Sequence, residues 1–189
     1  MNVPRLLLLT DRTQLASGRD LGDTVRRSAD AGLTHVVVRE HDLDPAVRRR
    51  LVEGLAGIDG LSVLTSRVAV PGADGVHLAE HQEAPLGGCF GRSCHNPSQV
   101  SRAAEEGAAY ATLSPFAATP SKPGYGPPVD RRAYAAARAL PVLALGGIDA
   151  HNAATAREAG AHGVAVMGCV MRAEDPGAVV AALLREVGR

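Results

Sequence analysis

A histidine that ends a strand and stands just before a helix is well placed to carry a proton. The stretch "GRSCHNPSQ", Gly91 to Gln99, has this form. A short strand-like run stops at His95. Asn96 is a good helix N-cap, Pro97 suits the first helical position, and Gln99 stands where a capping box needs an amide. Histidine is the side chain most often used for general acid–base catalysis at neutral pH. Taken alone, the position is also compatible with simple packing. The remaining histidines have plainer readings. His35 and His162 precede strands, His77 lies inside one and reads as packed, and His151 follows a turn and helps to start a helix. His41 and His81 lie on loops at the same end as His95 and stay open as contributors.

Two turns have the form of an anion cradle. "LALGGID" places Gly147 after an apolar run, and "VAVMGCV" places Met167 and Gly168 after another about twenty residues on. Backbone N–H groups in such turns can hold a phosphate, and glycine lets the oxygens approach where a Cβ would block them. Ordinary turn chemistry is the alternative reading. A third stretch, "SPFAATPSKPGYGPPVD" from Ser114 to Asp130, carries five prolines and two glycines and so stays non-helical. Loops this long in compact domains are usually lids or binding loops. Lys122 is its only cation and is flanked by Thr119 and Ser121. A lysine on a proline-stiffened lid brings charge to a phosphate or carboxylate at low ordering cost; a solvated surface lysine is the alternative. The three cysteines, Cys89, Cys94 and Cys169, have no CxxC spacing and read as small wall residues in a reducing compartment.

These residues need elements to carry them, and an internal repeat supplies the elements. "DAGLTHVVV" from Asp30, "PGADGVHLA" from Pro71, "EEGAAYATL" from Glu105 and "EAGAHGVAV" from Glu158 each join a glycine to a short apolar strand. The glycine ends a helix, and a strand this apolar is buried on both faces, as in a parallel sheet. Four more strands lie between: Arg5 to Asp11, Leu61 to Ser66, Cys89 to Cys94 and Pro141 to Gly147. Helices are expected over Asp23–Gly32, Pro45–Gly57, Asn96–Gly107, Arg131–Leu140, His151–Gly160 and Asp175–Val187, with abbreviated connections after strands three and four. Eight alternating units predict an α/β fold, a single compact (β/α)8 TIM barrel over residues 1–189. The chain is short for such a barrel, for which about 250 residues is typical. A doubly wound open sheet is the competing fold, but the first strand runs into "LLTDRTQLASG" with no GxGxxG. In a barrel the chemistry belongs at the C-terminal strand ends. The residues there, among them Asp11, Arg39, Ser66, Ser93 to His95, Ser114, Gly147 and Gly168, are far more polar than the strands they end.

Bulk properties narrow the function class. Acidic and basic residues balance at 20 each, so a nucleic-acid footprint is not expected, and aromatics at 3% are too few for base stacking. No run of about 18 apolar residues occurs, so no membrane span is expected. "RLLLL" is too short for a signal sequence, and a cytoplasmic location follows.

Taken together, "LLLLTD", "VVVREH", "DGVHLAE", "GRSCHNPSQ", "TPSKPGYGP", "PVLALGGID" and "AHGVAVMGCV" resemble the superfamily of thiamine phosphate synthase and thiazole tautomerase, in order from Leu6 to about Pro176. The resemblance implies a (β/α)8 barrel that binds a phosphorylated thiazole as its small-molecule partner, and it suggests a homodimer. It implies that Gly147, Met167 and Gly168 hold the phosphate, that Thr119, Ser121 and Lys122 form the lid, and that His95 is the acid/base. Arg39 and Lys122 become candidates for the substrate carboxylate or phosphate. The synthase signature has Gln-x-Arg-x-Lys after strand two, where this chain has Val37, Arg39 and His41. It has Asn-Asp-Arg after strand three, where this chain has Thr65, Ser66 and Arg67, and a further Asp where this chain has Gln82. Serine and glutamine are poor ligands for a hard dication such as Mg²⁺. The expectation is therefore a chain closer to thiazole tautomerase: an isomerase with no metal or other cofactor, in which His95 moves a proton to aromatise a carboxythiazole phosphate. Thiamine phosphate synthase, joining an aminopyrimidine pyrophosphate to the thiazole phosphate, is the alternative, and a non-catalytic thiazole- or thiamine-phosphate-binding barrel is a third.

Overall fold

The structure, a computed structural model, describes residues 2–119, 126–137 and 139–188. Eight parallel strands close into a barrel in sequence order. They are β1 (Leu6–Leu9), β2 (His35–Val38), β3 (Ser62–Ser66), β4 (Gly75–Leu78), β5 (Phe90–Cys94), β6 (Tyr110–Leu113), β7 (Val142–Leu145) and β8 (Gly163–Val166). Closure comes from β8 pairing with β1, where Leu6, Leu7 and Leu8 lie in register with Val164, Ala165 and Val166. The predicted (β/α)8 barrel is the fold.

The strands are apolar on both faces because each face is buried. Leu7, Leu9, Val37, Leu64, Tyr110, Leu143 and Ala165 fill the interior. Alternate residues, such as Val36, Val63, Leu113 and Val164, pack outward under the helices. Each buried Leu or Val side chain contributes about 1.5–3 kcal/mol.

Seven helices surround the described barrel: α1 (Leu21–Asp30), α2 (Pro45–Ala56), α3 (Pro97–Glu105), α4 (Arg132–Ala136), α5 (Ala153–Glu158), α6 (Gly168–Met171) and α7 (Pro176–Val187). One local device starts three of them. Asp44–Pro45, Asn96–Pro97 and Asp175–Pro176 each put a side-chain acceptor on a first-turn N–H and proline at the first helical position. Gly32, Gly107 and Gly160 of the repeat lie just past helix ends, with φ of 106, 83 and 103, whereas Gly72 of the repeat from Pro71 follows β3 and ends no helix.

The structure departs from expectation in three places. The helix expected over Arg131–Leu140 stops at Ala136, because Ala137 leaves helical geometry at ψ 69 and Leu140 stands before Pro141; Arg138 lies outside the described residues. Two short pieces are added, a 3-10 turn at Arg12–Gln14 and the single-turn α6. The connections after β3 and β4 contain no helix at all, which accounts for the short chain. Buried arginines support that flank. Arg92 points out of β5 to the carbonyls of Ala79 and Gln82 and pairs with Glu106, and Arg48 on α2 donates to the carbonyls of Val38 (3.1 Å) and Ser66 (2.8 Å). Among the described residues no helix is long and apolar enough to cross a membrane.

Candidate active site

The C-terminal strand ends form the mouth of the barrel, and Arg39 spans part of it. Its backbone N–H donates to Thr10 Oγ1 at 3.0 Å, which fixes the end of β2 against β1. Its guanidinium reaches on in the same direction past β1, donating to Met167 Sδ after β8 and lying 3.9 Å from the Asp11 carboxylate. The fold thus joins two of the predicted substrate-binding residues across the β8–β1 closure. Burial tends to raise the Asp11 pKa, but hydrogen bonds from Thr13 and Gln14, with the Arg39 charge, outweigh it and hold the carboxyl below its usual range. Asp11 is therefore an anion that orients Arg39 rather than a proton donor.

His95 lies exposed just past β5, on the rim. Asn96 Oδ1 accepts from the Gln99 N–H at 3.0 Å. Gln99 Oε1 accepts from the His95 N–H at 2.6 Å, one residue earlier than in a standard capping box. The cap therefore grips His95 directly. Its Nδ1 lies 3.2 Å from both the carbonyl and the hydroxyl oxygen of Ser114, at the end of β6. Donation from Nδ1–H to that carbonyl puts the ring's lone pair on Nε2, as a general base requires.

The two turns expected to form a cradle lie after β7 and β8, and one of their glycines has a further reason. Gly146 and Gly147 have φ of 94 and 65. A Cβ on Gly147 would lie 2.5 Å from the Ala118 carbonyl oxygen and 2.7 Å from that of Ala117. The glycine is thus demanded by the root of the loop after β6, not only by the approach of an oxyanion. Thr119, half-buried, follows at once, so the proline-rich loop starts against the Gly147 turn. Ser121 and Lys122 lie outside the described residues. Met167 precedes α6, and Gly168 opens it; the first N–H groups of a helix have no partner within it. The Arg172 guanidinium covers Gly168 and donates to Gln14. Burial pushes the thiols of Cys94 and Cys169 up to about 11, so both stay protonated and neither serves as a nucleophile.

The positions that would have to hold Mg²⁺ do not fit it. Gln82 uses both ends of its amide locally: Oε1 accepts from Ala79 N–H at 2.8 Å and Nε2 donates to the Arg67 carbonyl at 2.9 Å. Ser66 is buried, and its carbonyl is taken by Arg48. This corner is cationic. Desolvation lowers the His41 pKa, and Arg67, Arg48 and Arg39 lower it further. Among the described residues no three His, Cys, Asp or Glu side chains gather as a metal site would need. The corner suits an anion directly.

Sequence reasoning missed a polar chain inside the barrel. His77, Tyr110 and Ser93 are hydrogen-bonded in series, from β6 through β4 to β5. The signal was the period of two along β5, which turns Gly91 and Ser93 to the same inner face.

Comparison with known proteins follows the same outline. The family described as thiamine monophosphate synthase matches residues 6–170. The thiamine-phosphate synthase of Roseiflexus castenholzii is 34% identical over 194 residues, covering 93% of this chain and 85% of that protein. That of Albidiferax ferrireducens is 34% identical over 203 residues, covering 97% and 91%. The solved thiamine phosphate pyrophosphorylase from Pyrococcus furiosus superposes with a TM-score of 0.82 at 22% identity, covering 97% of this chain and 95% of that one, which speaks for the fold. The expected closeness to thiazole tautomerases finds no support in these relatives, which carry the synthase name. The resemblance implies a thiazole-phosphate clamp in either enzyme, so the residues expected to form it do not separate the two.

Proposed function

The chain belongs to the thiamine monophosphate synthase family, and from that premise we propose that it is a thiamine-phosphate synthase working at the barrel mouth. The observation that carries this reading is the extent of the family match, which runs through every strand end that builds the mouth. The thiazole phosphate rests on the backbone N–H groups of the Gly147 and Gly168 turns. Thr119 stands at the root of the loop after β6, and the lid role of Thr119, Ser121 and Lys122 rests on the family resemblance. Arg39, held by Thr10, Asp11 and Met167, supplies a fixed positive charge at the neighbouring strand ends. That charge suits the departing pyrophosphate of the aminopyrimidine half. His95 stands on the rim to take or return a proton.

One observation favours a second reading. Ser66 and Gln82 offer no carboxylate, and Gln82 is engaged with backbone. A site with an acid/base, anion clamps and no metal ligands suits thiazole tautomerase chemistry, a proton shift within the carboxythiazole phosphate. A single set of assays separates the two. The purified protein is given aminopyrimidine pyrophosphate and thiazole phosphate with Mg²⁺, and separately the carboxythiazole phosphate tautomer in EDTA. Thiamine phosphate in the first assay is the expected result. Aromatisation in the second, with no product in the first, establishes the tautomerase instead.

A further inference from the structure

The interior chain of Tyr110, His77 and Ser93 takes no part in the function proposed above, and its hydrogen-bond logic can be worked through. His77, Gly91 and Tyr110 lie in one register row across β4, β5 and β6. Gly91 clears the middle of that row, since a Cβ there would lie 2.2 Å from the Tyr110 ring. The ring passes over Gly91, stacks on His77 at 5.5 Å between centroids, and brings its hydroxyl to 3.0 Å from His77 Nδ1. The other ring nitrogen, Nε2, lies 2.9 Å from Ser93 Oγ. Ser93 is one row nearer the mouth and half-exposed.

Two proton arrangements satisfy those distances. Burial, with Arg39 and Arg92 nearby, pushes the His77 pKa down to about 4, so the ring is neutral and has one N–H and one lone pair. In one arrangement Ser93 donates to Nε2 and Nδ1–H donates to the tyrosine oxygen. The Tyr110 proton is then buried with no acceptor among the described residues, which is costly. In the other, Tyr110 donates to Nδ1 and Nε2–H donates to Ser93 Oγ. Every buried proton then has an acceptor. Ser93 is left with its own O–H to give, and Thr112, in register beside it, is not hydrogen-bonded to it.

We propose that Tyr110 and His77 lock Ser93 as a hydrogen-bond donor into the mouth, making His77 a positioning residue that selects an acceptor atom on the substrate. The proposal rests on the mouth being the substrate site but not on which of the two reactions occurs there. An acceptor-only group, such as a phosphate or carboxylate oxygen or an unprotonated ring nitrogen, fits a fixed donor. A group that must itself donate is disfavoured rather than excluded, because His77 already takes one of the two Ser93 lone pairs and the Ser93 proton is the one left without an acceptor.

The test has one arm that needs no activity. Nitrogen-15 NMR of the whole protein reads the His77 tautomer directly. The expected result is a proton on Nε2 at neutral pH, changed in Tyr110→Phe; a proton on Nδ1 in the wild type overturns the proposal even if the protein catalyses neither reaction. The second arm uses whichever reaction the protein performs. His77→Leu and Ser93→Ala should each lower kcat by about 10-fold, and the double variant should lose no more than either alone. His77→Gln, whose amide nitrogen can still donate to Ser93, should recover most of the loss. Losses that multiply in the double variant, or no recovery with glutamine, would overturn it. Should His77→Leu fail to fold, the wild-type tautomer still decides.

Discussion

Arg39 is a charge held in place rather than a free arm. Its contacts with Asp11 and Met167 come from the ends of β1 and β8, the next two strands on one side of its own, so its guanidinium keeps little of the rotamer freedom a surface arginine loses on binding. Arg39→Ala should raise KM for the phosphorylated substrate by about 10- to 100-fold, the worth of a hydrogen bond to a charged group, with little change in melting temperature. Arg39→Lys should recover only part, since a point charge does not reproduce the planar fork. His77 gives a prediction about pH. An unfolded histidine titrates near 6.5, whereas burial holds His77 at about 4. Between those values the unfolded chain takes up a proton that the folded chain refuses. Stability attributable to this residue is therefore fully present above about pH 6.5, falls as pH drops towards 4, and levels off below, with up to about 3 kcal/mol lost across the window. Denaturant unfolding of wild type and His77→Gln at several pH values checks this: the wild type should show the steeper decline, and parallel curves would contradict it.

At the scale of elements, the turn after β7 ties the cradle to the lid root. Gly147→Ala places a methyl group against two carbonyl oxygens and strains a backbone at φ 65. It should cost roughly 1–3 kcal/mol of stability and lower substrate affinity, because the loop after β6 must shift. Calorimetry and a binding titration measure the two effects separately. The elements were legible to very different degrees. The eight strands and the Asx–Pro helix starts could be read from sequence because each is a local signal: an apolar run, or a cap followed by proline. The early end of α4 was not, since "RRAYAAARAL" has good helix formers throughout, and the chain's path at Ala137 and Pro141 overrides propensity. The one-turn α6 was too short to show a period. Among the candidate site residues, the position of His95 at a strand end could be read from its cap, and those of Gly147 and Gly168 from their turns. The Tyr110–His77–Ser93 chain was hidden because its hydrogen-bonded members are 16 and 33 residues apart in sequence and meet only through strand register. Reading His77 as packed was sound for its burial and left out what its second nitrogen touches.

Across the whole molecule the outer layer is uneven. Helices cover most of the barrel, but the flank outside β3 to β5 relies on loops, with Arg92 bonded to the carbonyls after β4 and stacked near Phe90. With fewer apolar contacts to break, that flank should open first. Amide hydrogen exchange should show β4 less protected than β7 or β8; uniform protection around the barrel would count against this. The opposite side of the barrel behaves differently. There β8 zips onto β1, and the residues proposed to hold the substrate's phosphates are split across that line, with Arg39 on one side and Gly168 on the other. A bound anion is thus a clasp fastened over the join. Its departure and the parting of the two strands draw on the same contacts, so the lifetime of the closed barrel lengthens with occupancy. Ligand at about 100 times its Kd adds about 2.7 kcal/mol to the folded state. Held at the join, that increment slows the first tear rather than the last, and the substrate becomes one of the things that keeps this small barrel shut.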